Sequence, residues 1–108
     1  MTFEATYLGS NGWLIKFKKT NLIIDPWLKG DLIFPPGEWF FKGSLEGEIL
    51  IDKEIDIILL TQSLPDHCHV PTLEMFRKDI PIICPKSAFE TLKTVSYTHL
   101  TLPTKRIV

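Results

Sequence analysis

Residues 55 to 69 read Ile55-Asp56-Ile57-Ile58-Leu59-Leu60-Thr61-Gln62-Ser63-Leu64-Pro65-Asp66-His67-Cys68-His69, and this stretch decides the fold. Ile57, Ile58, Leu59 and Leu60 make a short apolar run between polar residues, which suits a strand buried on both faces better than an amphipathic helix. The strand must then stop. Pro65 lacks a backbone donor and restricts Leu64, so the chain leaves the sheet after Thr61, just where Asp66, His67, Cys68 and His69 gather. Open α/β sheets place their sites at the carboxyl ends of strands, and a carboxylate, two imidazoles and a thiol collected there mark a candidate site.

Working outward, Phe3 to Leu8 alternates with Phe3, Ala5 and Tyr7 on one side, a half-buried first strand. Gly9-Ser10-Asn11-Gly12 reads as a turn that folds Trp13 to Lys18 back as the second arm of a hairpin. No helix pattern follows these glycines, which argues against a phosphate cradle. Leu22-Ile23-Ile24 is a third strand, and it ends at Asp25-Pro26. Lys29 to Glu48, rich in Gly and Pro, reads as a long loop or a short hairpin. Within it Trp39-Phe40-Phe41 reads mainly as an ordinary strand face and loop cover, with Trp39 the ring put forward for the lip of a pocket. Beyond the central stretch, Pro71 at a first turn, Glu74 early and Arg77 and Lys78 late predict a helix over 70–78. A short strand at 81–85 and a second helix at 87–93 follow. The order strand, site, helix, strand, helix predicts an α/β sheet.

The strand, Thr61 and the Asp66-His67 pair resemble the signature of the metallo-β-lactamase superfamily, T-H-x-H-x-D-H, in a degenerate form similar to a plant and cyanobacterial branch. The resemblance implies the amino-terminal half of a four-layer αββα sandwich, a mixed sheet with helices on one face. It also implies that a sheet made to pack against a partner sheet is left with an apolar face in water. Gln62 and Leu64 stand where the family has its first two His ligands; the amide oxygen of Gln62 binds zinc poorly and Leu64 offers nothing, so the first metal site is expected to be lost. What remains implied is one zinc or other divalent ion on Asp66, His67 and His69, with Asp66 also the catalytic group that positions water. Cys68 and Gln62 are placed at the pocket. Asp25 either supports the metal loop or simply accepts hydrogen bonds in its own turn. The activity implied for the full-length protein is metal-dependent hydrolysis of an ester, lactone or phosphoester, with a small-molecule substrate. The alternative is a non-catalytic small-ligand-binding protein that has lost the first metal site.

A net charge of −1, with 44% hydrophobic and 23% charged residues, argues for an ordinary globular chain and against a nucleic-acid partner. No stretch approaches the roughly 18 apolar residues of a membrane span, and no leader pattern opens the chain, so the expectation is a cytoplasmic protein with free thiols at Cys68 and Cys84. Val95 to Thr104, V-S-Y-T-H-L-T-L-P-T, resembles one reading frame of a transposase-type sequencing adapter. Residues 1–94 are therefore expected to be a partial domain and residues 95–108 a library artefact, from which His99 is not recruited. As a truncated piece the chain is expected to be inactive, and whether it holds the ion or none stays open.

Overall fold

A computed structural model of the chain describes residues 3–33, 37, 42–45, 47, 49, 51 and 54–102. Trp39, named for a pocket lip, lies outside the described residues.

Three strands, β1 (Phe3–Gly9), β2 (Gly12–Phe17) and β3 (Thr20–Ile24), form an antiparallel meander. The central strand β6 (Ile57–Leu59) joins β3 in parallel, and β7 (Ile82–Ile83) and β8 (Leu100–Thr101) extend the parallel half. The sheet is thus mixed, in the order β1-β2-β3-β6-β7-β8. A separate hairpin, β4 (Asp31–Ile33) with β5 (Lys42–Ser44), resolves the Gly- and Pro-rich region into the short hairpin that was one of its two readings.

Register decides which side chains share a face, because alternate residues point to opposite sides of a strand. Leu14 pairs with Ile23, Ile23 with Ile58 and Ile58 with Ile82. These four are buried and pack in one cluster with Leu73 and Leu92 of the two helices, α1 (Val70–Leu73) and α2 (Phe89–Thr94). The opposite face carries Phe3, Tyr7, Trp13, Ile15, Phe17, Leu22, Ile24, Ile57, Leu59 and Ile83. Phe3 is 63% exposed, Tyr7 57%, Trp13 41% and Phe17 39%, so this face is apolar and open. The expectation of an apolar face in water is met in the structure. The expectation that the central strand is buried on both faces is not: Ile58 is fully buried, whereas Ile57 and Leu59 are only half-buried because no described element packs over them.

The helix expected over 70–78 is one turn long. After Leu73 the backbone bonds tighten, Met75 N–H to the Thr72 carbonyl and Phe76 N–H to the Leu73 carbonyl, three residues back instead of four. Side chains take over the freed carbonyls: Tyr97 Oη donates to Leu73 O at 2.7 Å, and Lys78 Nζ reaches Glu74 O at 3.1 Å and Phe76 O at 3.3 Å. The second helix begins as a 3-10 turn over Lys86–Ala88 and continues as α2, close to its expected span.

The segment read as adapter-encoded is part of this architecture as far as Leu102. Tyr97 is fully buried, and β8 closes the sheet edge through Ile82 N–H to His99 O at 2.8 Å and Cys84 N–H to Thr101 O at 3.0 Å. Among the described residues no helix is long and apolar enough to cross a membrane.

Candidate functional site

The parallel pair β3 and β6 ends in register, Ile24 beside Leu59, so the residues that follow each strand meet at one rim of the sheet. Asp25 N–H donates to Leu59 O at 3.0 Å, the last tie between the two strands. Asp25 then adopts a left-handed backbone, φ +44°, a conformation that Asp tolerates better than most residues. The kink leaves its carboxylate buried and turned across the end of β6.

Three donors converge on that carboxylate. Thr61 N–H reaches Oδ1 at 2.8 Å, Thr61 Oγ1 reaches Oδ2 at 2.5 Å, and His67 Nδ1 lies 2.8 Å from Oδ2. A carboxylate oxygen of this kind only accepts, so the His67 proton sits on Nδ1, shared at 3.1 Å with Thr61 Oγ1. In the neutral ring the lone pair is therefore on Nε2. That nitrogen faces Asp66, whose Oδ2 is 3.5 Å away. Of the two readings of Asp25, support of the site loop is the one this geometry fits: it orients His67 from behind and anchors Thr61.

Asp66 is held from the other side. Asn11 Nδ2, in the β1–β2 turn, donates to Asp66 Oδ2 at 3.1 Å and to its backbone oxygen at 3.3 Å. Asp66 Oδ1 is buried and receives no hydrogen bond. The sequence reading took residues 9–12 as a plain turn and missed Asn11; an Asn between glycines signals turn geometry as readily as function.

His69 stands apart. Its Nε2 lies 2.8 Å from Asp31 O, a pure acceptor, so Nε2 carries the proton and Nδ1 accepts from Thr72 Oγ1 at 2.8 Å. Thr72 Oγ1 in turn accepts from Leu28 N–H at 2.9 Å. Both ring nitrogens are thus taken up in a buried chain of bonds that joins the β4 hairpin to α1, and burial lowers the His69 pKa below its usual 6.5, partly opposed by the Asp31 carbonyl. Cys68 points into the core, where burial and then the neighbouring Cys84 and Asp25 raise its thiol to about 11, far from a reactive thiolate. Gln62 is exposed on the loop. Of the six expected site residues that are described, the structure brings Asp25, Asp66 and His67 together and leaves His69, Cys68 and Gln62 outside that contact.

Whether these groups fit a metal ion follows from their chemistry. His67 Nε2 is the type of nitrogen zinc takes, fixed by a carboxylate on its other nitrogen, and Asp66 Oδ1 is an oxygen ligand without a partner. Both fit. Two donors do not fill a four-coordinate shell, and among the described residues no group of three His, Cys, Asp or Glu side chains is placed to hold an ion. A cavity of about 420 Å³ lies on the other side of the loop, between Ser63, Leu64 and Pro65 and the hairpin residues Asp31 and Ile33, with His69 in its wall.

A mixed sheet with helices on one face, and a carboxylate–imidazole pair at the rim where two parallel strands end, define an α/β scaffold of half a metallo-β-lactamase fold. The chain belongs to the beta-lactamase superfamily domain family, whose match spans residues 4–105. No curated protein matches it. Among solved structures it is similar to an isothiocyanate hydrolase from Delia radicum gut bacteria, with a TM-score of 0.58 and 11% identity over 98% of this chain. The chain spans 43% of the length of that structure.

Proposed function

We propose that the complete protein is a metal-dependent hydrolase of small ester, lactone or phosphoester substrates, working with a single divalent ion, zinc or one like it. The observation that carries this reading is the 2.8 Å contact of His67 Nδ1 with the buried Asp25 carboxylate, which assigns the proton to Nδ1 and so turns the lone pair of Nε2 toward Asp66. Asp66 and His67 would hold the ion, with the remaining ligands supplied from outside the described residues. When bound, such an ion supplies Lewis-acid polarisation of water and of the scissile group. Asp25 and Thr61 keep the His67 ring in one orientation and one tautomer, and Asp66 positions water beside it. His69 serves here as a structural group. Similarity to an isothiocyanate hydrolase supports a hydrolytic class at the level of fold and carries no substrate at 11% identity. A soluble small-molecule enzyme of the cytoplasm, with no nucleic-acid partner, completes the proposal.

A second reading, a non-catalytic protein that binds a small apolar ligand, is supported by the cavity beside Leu64, which puts an aliphatic side chain where the family has a His. One experiment separates the two. The complete protein is assayed on a panel of esters, lactones and phosphodiesters before and after exhaustive chelation, alongside Asp66→Asn and His67→Ala. Hydrolysis lost on chelation and in both variants supports the enzyme. Activity that survives chelation undiminished contradicts it, and saturable ligand binding with no turnover favours the second reading.

A further inference from the structure

We infer that Asn11 is the positioning residue for Asp66: it occupies one carboxylate oxygen and the backbone carbonyl and so fixes the carboxylate beside His67, with the other oxygen buried and unpartnered among the described residues. The inference rests on the proposed role of Asp66 and His67 as the ion-holding pair.

The turn that carries Asn11 is built for one conformation. Gly9 (φ +92°) and Ser10 (φ +51°) are both left-handed, a costly pair for which the second residue is not glycine. Tyr7 Oη straps the turn by donating to Ser10 O at 2.7 Å. Gly12 is pressed against the end of β3: a Cβ there would stand 3.4 Å from Asp25 O and 3.3 Å from both Gly9 O and Leu8 Cβ. The turn is thereby seated on the same backbone that aims Asp25. From this seat the two N–H bonds of the Asn11 amide cross 55 residues of sequence to Oδ2 and O of Asp66. The other polar group beside that carboxylate is His67 Nε2, at 3.5 Å too far for a strong bond. Without Asn11 the carboxylate is free to turn about χ1 and χ2, and an ion ligated by it must then bear the loss of that freedom. Asp25 does this work for His67; Asn11 does it for Asp66.

The amide resonances are read on the chain as it stands, and zinc affinity on the complete protein. In metal-free protein the Asn11 side-chain amide resonances are expected to be shifted and slow to exchange, and to collapse to free-amide values in Asp66→Ala. Zinc affinity is expected to fall about 10- to 100-fold in Asn11→Ala, the usual effect of removing a group that orients a ligand, and by at least as much in Asn11→Asp, which sets a like charge against Asp66. The urea midpoint of Asn11→Ala is expected to stay close to that of the parent, which a merely structural role would not allow. Amide resonances indifferent to Asp66→Ala, or a zinc affinity within twofold of the parent in Asn11→Ala, would overturn the inference. A complete protein that binds no zinc would sink the ion-holding reading, and the amide resonances alone would then decide for or against Asn11.

Discussion

Replacing Asp25 by Asn changes one atom and is expected to move a proton two bonds away. Thr61 N–H, which can only donate, lies 2.8 Å from Oδ1 and will keep the amide oxygen of Asp25→Asn at that position. The new NH2 then faces His67 Nδ1 across 2.8 Å, donor against donor, unless the ring gives up its Nδ1 proton and accepts instead. Leaving a buried donor without an acceptor costs about 1–3 kcal/mol, enough to set which nitrogen of a neutral imidazole carries the proton. The proton is therefore expected on Nε2, where it covers the lone pair that faces Asp66. Long-range ¹H–¹⁵N correlation of the His67 ring reads the tautomer directly, with Nδ1–H in the parent and Nε2–H in the variant. Zinc affinity should fall about 10- to 100-fold, or about 1.4–2.8 kcal/mol. A variant that keeps Nδ1–H, or that switches tautomer with unchanged zinc affinity, would refute the reasoning at its first or second step respectively.

Thr72→Val keeps the shape of a fully buried side chain and removes its hydroxyl, leaving Leu28 N–H and His69 Nδ1 without partners. At about 1–3 kcal/mol for each stranded group, protection of the Leu28 amide against hydrogen exchange should drop by about 2–6 kcal/mol, and a change below about 0.5 kcal/mol would be inconsistent with the chain of bonds described. The lowered pKa of His69 has a defined sign: the unfolded chain takes the proton first, so the stability from this group is complete above pH 6.5 and is lost as pH falls below it. Urea midpoints followed from pH 8 to 5 should therefore decline for the parent and decline less for His69→Gln. The open face around Phe3, Tyr7, Trp13 and Phe17 exposes roughly 300–500 Å² of apolar area, judged from side-chain areas of about 150–250 Å² per aromatic, as large as the largest patch on a typical monomer. Sedimentation should show concentration-dependent association that Phe3→Lys with Tyr7→Lys reduces, and melting should be broad; a sharp transition in a strict monomer would count against this.

The apolar run at Ile57–Leu60 announced the central strand because four consecutive aliphatic residues bounded by Pro65 leave few other solutions. The Asp66-His67 pair was legible for the same reason, since the strand had to end beside it. Legibility failed where distance in sequence mattered. Asn11 lies 55 residues from the group it holds, and only the β1–β2 turn docking on the end of β3 brings them together. The cluster Asp66-His67-Cys68-His69 gives no sign that alternate members face opposite ways, His67 to the rim and His69 to Thr72, because that depends on where α1 begins. The one-turn length of α1 was hidden too: Tyr97, from outside the segment whose periodicity predicted nine residues of helix, captures the Leu73 carbonyl, and Lys78 at that segment's end folds back on the Glu74 carbonyl. Edge pairing is less selective than any of these. β8 requires backbone groups and an apolar residue at the right alternation, and Tyr97 with Leu100 meets that demand whatever the origin of the segment.

The most direct measurement is elemental analysis, with X-ray absorption at the metal edge, of the complete protein. The account predicts one divalent ion per chain, with an imidazole nitrogen and a carboxylate oxygen among its ligands, both lost in Asp66→Ala/His67→Ala. A stoichiometric ion that persists in that double variant would contradict it.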